Sequence, residues 1–393
     1  MMEPFEQLPN RQGTRSVKWD MTEKVFGSSD IQPMWVADMD FEIASPIKQA
    51  LIDRIHHGVF GYTITDSHLN QIVKQWLKRR HNWTIEADSI IYSPGVLVTI
   101  HMAILTQTNP GDKVLIQTPV YPPFHSIVKK HNRTLVTNPL IYNNGRYTID
   151  YDDLEAKFRS GVKAFILCSP HNPVGRVWTK TELANIISLA KRYHVLIISD
   201  EIHADLIYND AQHVPIGSID QTIEDQLITC FSPTKTFNLA GLQVSYAVIA
   251  NKQLRQDITQ ALADYGVSSL NTLGITALEA SYQHGEEWLD HLYTVLHKNR
   301  QLVEKTFQER HEITPIHPEG TYLMWLDCRN MSLDQTALNQ FMIAEARVGL
   351  NNGLTFGEEG RGFMRINLAS PTTYIETGVN KMIKALDARV NKV

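Results

Sequence analysis

The sequence predicts an α/β fold built on a mostly parallel sheet, and three observations carry that expectation. Short apolar runs recur from about residue 90: "SIIYS" (89–93), "KVLIQ" (113–117), "RTLVT" (133–137), "KAFILCS" (163–169), "HVLIIS" (194–199), "QLITCFS" (226–232) and "VSYAVIA" (244–250). A loop rich in Pro, Asn, Ser or Gly follows each, and then a helix-like segment such as "TKTELANIISLAKRYH". The runs are apolar on both faces, as strands are when helices cover both sides of their sheet. Alternating strands and helices of this kind give an α/β architecture. Such sheets bind ligands in the crevice outside the carboxyl ends of their strands, so the loop after each run is where chemistry is expected.

The rest of the chain is read around that sheet. With 393 residues it can bury a large core and form two domains, or one domain with a smaller lobe. A large domain is expected over 46–288. After about residue 290 a long amphipathic helix and shorter strands ("TYLMWLD", "FMRINLA") indicate a small domain, residues 289–393 with the N-terminal segment 1–45. The first twenty residues lack the apolar stretch of a signal peptide, and no run approaches 18 apolar residues. No membrane association is expected, and the chain is placed in the cytoplasm. A net charge of -5 without blocks of Lys or Arg argues against nucleic acid or an anionic membrane as main partner. Cys168, Cys230 and Cys328 are expected to be buried free thiols in a reducing compartment.

Four loops hold candidate chemistry. After "SIIYS", Gly95 and Val96 open an apolar helix whose first N–H groups can hold an anion; an ordinary strand–helix turn reads the same way. After "KAFILCS", Asn172 in "PHNPVGRVW" can donate a fixed hydrogen bond to a phenolate or carboxylate, or can simply form an Asn-Pro turn. After "HVLIIS", Asp200 emerges from a buried strand and needs a cationic partner, either His203 or a protonated heterocycle. After "QLITCFS", the hydroxyls of Ser232 and Thr234 flank Lys235, which has no acidic residue within four positions. A partly desolvated lysine shifts toward its neutral amine and can form a Schiff base.

Together these loops offer an anion cradle, an amide, a carboxylate and an amine. Pyridoxal 5′-phosphate has a phosphate, a phenolic oxygen, a ring nitrogen and an aldehyde to match them. The chain has no G-x-G-x-x-G, no phosphate loop ending in Gly-Lys-Ser/Thr and no Cys/His pairing at zinc spacing. "SPHNPVGRVW", "SDEIHADL", "SPTKTFNLAGLQ", "QTPVYPPF" and "GFMRINLA", in that company and with "MWVADMDF" near the start, resemble the fold-type I pyridoxal-phosphate enzymes. The resemblance covers nearly the whole chain. It is nearest to the cystathionine β-lyase/cysteine-S-conjugate β-lyase (MalY/PatB-like) branch of the class I/II aminotransferases.

The resemblance implies a role for each residue. Lys235 would carry the cofactor, Asp200 would pair with the ring nitrogen, and Asn172 and His203 would lie near the phenolic oxygen. Tyr121 of "TPVYPPF" would stack on the ring, unless it is a core aromatic. Gly95, Val96, Ser232 and Thr234 would hold the phosphate, with Tyr62 of "GYT" reaching in from a second subunit of a homodimer. Arg365 would grip the substrate carboxylate; a surface ion pair is its ordinary alternative. Two positions depart from the wider aminotransferase pattern: Gln243 stands where an arginine usually meets the phosphate, and His203 where many members have tyrosine.

The expected reaction is β-elimination from L-cystathionine or another L-cysteine S-conjugate, giving a thiol, pyruvate and ammonia. Transamination of an aromatic or apolar amino acid is the second reading. A cofactor-loaded regulatory partner of another protein is the third. The residues before the large domain are too few for a winged helix-turn-helix and linker, so direct DNA binding is not expected. Trp35, Val36, Met39, Phe41 and Tyr322 line either the substituent pocket or the core. No second arginine is assigned to a distal carboxylate.

Overall fold

The computed structural model of the chain describes residues 5–390. All seven apolar runs are strands of one sheet. They are β1 (Ile90–Ser93), β2 (Lys113–Thr118), β3 (Thr134–Pro139), β4 (Val162–Cys168), β5 (Leu196–Asp200), β6 (Leu227–Phe231) and β7 (Ser245–Val248). The spatial order is β1-β7-β6-β5-β4-β2-β3. Neighbours from β6 through β3 run parallel, whereas β7 is antiparallel to both β6 and β1.

The two-residue period of a strand divides the apolar side chains between two cores. Leu115, Phe165, Leu167 and Ile197 pack on one face with Leu154 and Phe158 of one helix and Leu183, Ile186 and Ile187 of another. Val114, Ile116, Ile166, Ile198 and Ile228 pack on the opposite face with Ile100, Ile104, Phe124, Ile127 and Ile258. Burial on both sides is why the runs show no polar alternation. The helices start where the sequence marks them. Lys180–Tyr193, for example, opens on a capping box: the Thr179 hydroxyl accepts the Glu182 N–H (3.2 Å) and Glu182 Oε2 accepts the Thr179 N–H (2.8 Å).

The helices used below are α1 (Ser45–His57), α2 (Ser67–His81), α3 (Val96–Gln107), α4 (Pro122–Lys130) and α5 (Glu286–Phe307). A second, antiparallel sheet contains β8 (Thr314–Ile316), β9 (Leu323–Asp327), β10 (Asn351–Asn352) and β11 (Phe363–Asn367), in the order β8-β9-β11-β10. The expected junction at 288/289 falls inside α5. That helix buries Trp288, Leu289, Leu292 and Leu296 in one core and Val303 and Phe307 in the core of the second sheet. The N-terminal segment also serves the second lobe, because Gln32–Pro33 pairs in parallel with Val348–Gly349. All three cysteines are buried and free. No helix among the described residues is long and apolar enough to cross a membrane.

Candidate active site

The carboxyl ends of the parallel strands bring the candidate residues together. Asp200 ends β5, in register between Cys168 of β4 and Cys230 of β6. Its buried side chain accepts a single hydrogen bond among the described residues, from the Ile202 N–H at 3.1 Å. Burial pushes the carboxyl up to about 7, and the Ile202 N–H and the charge of Lys235 offset only part of that. An Asp200–His203 ion pair is not made. His203 instead stands edge-on to Tyr322 with ring centroids 6.0 Å apart, and its buried Nδ1 has no partner. Burial, with the charges of Lys235 and Arg365, drives this imidazole down to about 3, so it is neutral.

Lys235 sits on the short helix Pro233–Thr236, whose N-cap Ser232 accepts the Thr234 N–H (3.0 Å). The residue is half-buried, and its Nζ donates to the Ala37 carbonyl. Burial first, and the Arg365 charge second, lower the ammonium to about 8 against the pull of Asp38 and Asp200. At pH 7 that leaves about a tenth of the lysine as free amine, against roughly one part in three thousand for an ordinary lysine.

Arg365 on β11 is buried, which excludes a surface ion pair, and has no carboxylate partner among the described residues. Nη1 donates to Asn172 Oδ1 (2.9 Å); Nη2 donates to Asn351 Oδ1 (2.6 Å) and the Trp35 carbonyl (3.1 Å). Nε is unpartnered, and the guanidinium lies 4.9 Å from the Phe356 ring centroid. Burial lowers it to about 10. Its neutral partners orient the fork without cancelling its charge. Tyr121, the N-cap of α4, is half-buried, with its ring edge-on to Phe124 at 5.8 Å. Burial and the nearby Asp200 push its phenol up, while Arg365 pulls it down.

The start of α3 lies two strands from Lys235. Gly95 is its N-cap, no side chain caps it, and the first N–H groups, including that of Val96, are left for a ligand or solvent. Ser93 and Ser245 pair across β1 and β7 (Oγ···Oγ 2.8 Å), and the adjoining Val244 carbonyl accepts the Ser232 hydroxyl (2.6 Å). Thr234 Oγ1 lies 2.6 Å from that same hydroxyl. Gln243, also at this end, is exposed. Tyr62 is the exception. It is fully exposed between α1 and α2, beside exposed Val59, Phe60 and Ile64, and one chain alone does not bring it to Lys235.

Several contributors carry no sequence signal. The Ala37 carbonyl accepts both Lys235 Nζ and the Tyr322 hydroxyl, the latter at 2.8 Å. Asn351 orients Arg365, and Asn238 clamps residues 39–41 through Met39 N, Met39 O and Phe41 O, each at 3.0 Å. Met39 and Phe41 are core residues, whereas Trp35 and Val36 are half-buried.

The donor set fits pyridoxal 5′-phosphate. A buried carboxylate lacking a cation suits a protonated ring nitrogen, an uncapped helix start suits a phosphate, and a depressed lysine suits an aldehyde. Comparisons with known proteins agree. Residues 36–381 match the family model for aminotransferase class I and II. The cystathionine β-lyase PatB of Bacillus subtilis (strain 168) is 40% identical over 97% of this chain and 99% of its own length. Protein MalY of Escherichia coli (strain K12) is 35% identical over 98% and 99%. The crystal structure of cystalysin from Treponema denticola, which contains a pyridoxal 5′-phosphate cofactor, superposes with a TM-score of 0.96 at 37% identity, covering 99% of this chain and 100% of that one. The chain belongs to the class I and II aminotransferase family and has the fold-type I architecture of its pyridoxal-phosphate enzymes.

Proposed function

We propose that the chain is a pyridoxal-phosphate-dependent carbon–sulfur β-lyase, cleaving L-cystathionine or other L-cysteine S-conjugates with one water to a thiol, pyruvate and ammonia. One arrangement carries the chemistry: buried Asp200, whose side chain accepts only the Ile202 N–H among the described residues, and buried Arg365, held by neutral partners, both lie within electrostatic reach of Lys235. The similarity to a cystathionine β-lyase over nearly the full chain supports this choice of reaction.

Pyridoxal phosphate, when bound, supplies an electron sink for the pair left at the substrate's Cα. The residues do the rest. Arg365 holds the α-carboxylate through its fork, kept in plane by Asn172 and Asn351. Lys235 Nζ takes the proton from Cα and returns one to sulfur as the Cβ–S bond breaks. Asp200 keeps the ring nitrogen protonated. Neutral His203 and the Asn172 amide would serve the phenolic oxygen, and Tyr121 would pack on the ring. The N–H groups at Gly95 and Val96 and the hydroxyls of Ser232 and Thr234 would hold the phosphate. Tyr62 joins them from the partner of a homodimer, for which its exposed apolar surroundings are an argument. We assign residues 46–288 to the large domain and 1–45 with 289–393 to the small one.

Transamination is the second reading, favoured by the family match itself. Partition between S-methyl-L-cysteine and L-alanine separates the two. A lyase releases methanethiol from the first and turns over the second poorly. Given a 2-oxo acid as amino acceptor, an aminotransferase converts both to the corresponding 2-oxo acids without thiol release.

A further inference from the structure

A polar chain reaches Thr236, the residue after the lysine. Thr236, buried beside Lys235, donates Oγ1 to Asp205 Oδ2 at 2.9 Å. Asp205 Oδ1 lies 2.9 Å from Nε2 of His81, the last residue of α2. The Asp205 carbonyl accepts the hydroxyl of Tyr293 on α5, and that hydroxyl also takes Arg80 Nη2 at 2.9 Å. Burial raises the Asp205 carboxyl, but the His81 hydrogen bond and the charges of His81 and Arg80 outweigh it and keep the group ionised. Asp205 comes two residues after His203, so one residue joins the two loops to α2 through its carboxylate and to α5 through its backbone carbonyl.

The helix carrying Lys235 spans only Pro233–Thr236, a single turn that cannot hold its own orientation. Ser232 accepts the Thr234 N–H at its start, and the Thr236–Asp205 bond fixes its end. We infer that Asp205 and Thr236 form a brace that aims Lys235 at the cofactor aldehyde; this positioning role rests on the function proposed above. Without the brace the amine spends less time within bonding distance. The loss falls on covalent capture, in which Nζ bonds the aldehyde carbon and one water leaves, and spares the contacts to ring and phosphate.

Two ligands separate these effects. Cofactor-free, full-length protein is titrated by tryptophan fluorescence with pyridoxal 5′-phosphate and with 4′-deoxypyridoxine 5′-phosphate, which has no aldehyde. Thr236→Val should weaken the aldehyde ligand by about tenfold, as expected for one lost hydrogen bond to a charged group, and leave the other unchanged. Thr236→Ser, which restores the hydroxyl, should recover wild-type affinity. Equal weakening of both ligands, or of neither, overturns the brace. If Thr236→Val does not fold, Asp205→Asn decides by the same ratio. Wild-type protein that binds neither ligand refutes the cofactor assignment, a failure distinct from that of the brace.

Discussion

At Lys235 and Asp200 burial works against charge in opposite senses, moving an amine down to about 8 and a carboxyl up to about 7. Lys235→Ala should eliminate thiol release; turnover in that variant above the rate of free pyridoxal phosphate would contradict the assignment. Asp200 also leaves a mark on stability. Its folded value lies above the ordinary 3.8, so the folded chain binds the extra proton between about pH 4 and 7. Stability therefore falls as pH rises through that window, and the full cost is present above it. Asp200→Asn removes the titration. In cofactor-free protein the variant's advantage in unfolding free energy should grow by on the order of 2–4 kcal/mol from pH 4 to 7.5. A difference independent of pH would contradict it. Arg365→Ala should raise KM for the amino acid by the equivalent of about 1.5–3 kcal/mol, read from steady-state kinetics. Asp200 and Arg365 were legible as candidates because one directly follows an apolar run and the other sits in one, and Lys235 because it lies three residues after one. The Ala37 carbonyl was not, since backbone groups have no letter of their own, and Asn351 was hidden because "NN" reads as a turn.

The segment 35–41 shows how an irregular stretch becomes a rigid wall. Asn238 holds it from the large sheet's side, and Asn367 from β11, donating to the Val36 and Asp38 carbonyls at 2.6 Å. Asp40 anchors it below, accepting from Lys18 Nζ (2.5 Å), Arg11, Trp19 and Ser370. Lys18 and Asp40 are both fully buried, so removing one partner strands a charge. Lys18→Met should cost about 3–5 kcal/mol of stability, measured by urea unfolding, whereas a loss under about 1 kcal/mol would show that Arg11 alone satisfies Asp40. The sheet was readable in advance from apolar runs, and helices such as 180–193 from their apolar spacing. This wall was not, because a lysine in "VKWD" reads by habit as a surface charge and only tertiary contact reveals its burial.

The lobes meet over Lys235: the large sheet contributes Asp200, Asn172 and the lysine, the small sheet Arg365, and the N-terminal segment Ala37. Helix α5 crosses the expected domain junction because its apolar stripe serves both cores. No local change in composition marks such a boundary in sequence. Val59, Phe60, Tyr62 and Ile64 are exposed, and the proposal that a neighbouring chain covers them has a sharp consequence. If Tyr62 serves the partner's crevice, unfolding and refolding together two impaired variants, Lys235→Ala and Tyr62→Ala, should yield hybrid dimers with one intact site and recovered activity. No recovery would place Tyr62 outside the partner's site. The most direct measurement of the whole account is a time course of thiol and pyruvate from the cofactor-loaded protein with S-alkyl-L-cysteine. The account predicts equal amounts of both, continuing over many turnovers. Conversion of the amino acid to its intact 2-oxo acid, with no thiol released, would contradict it.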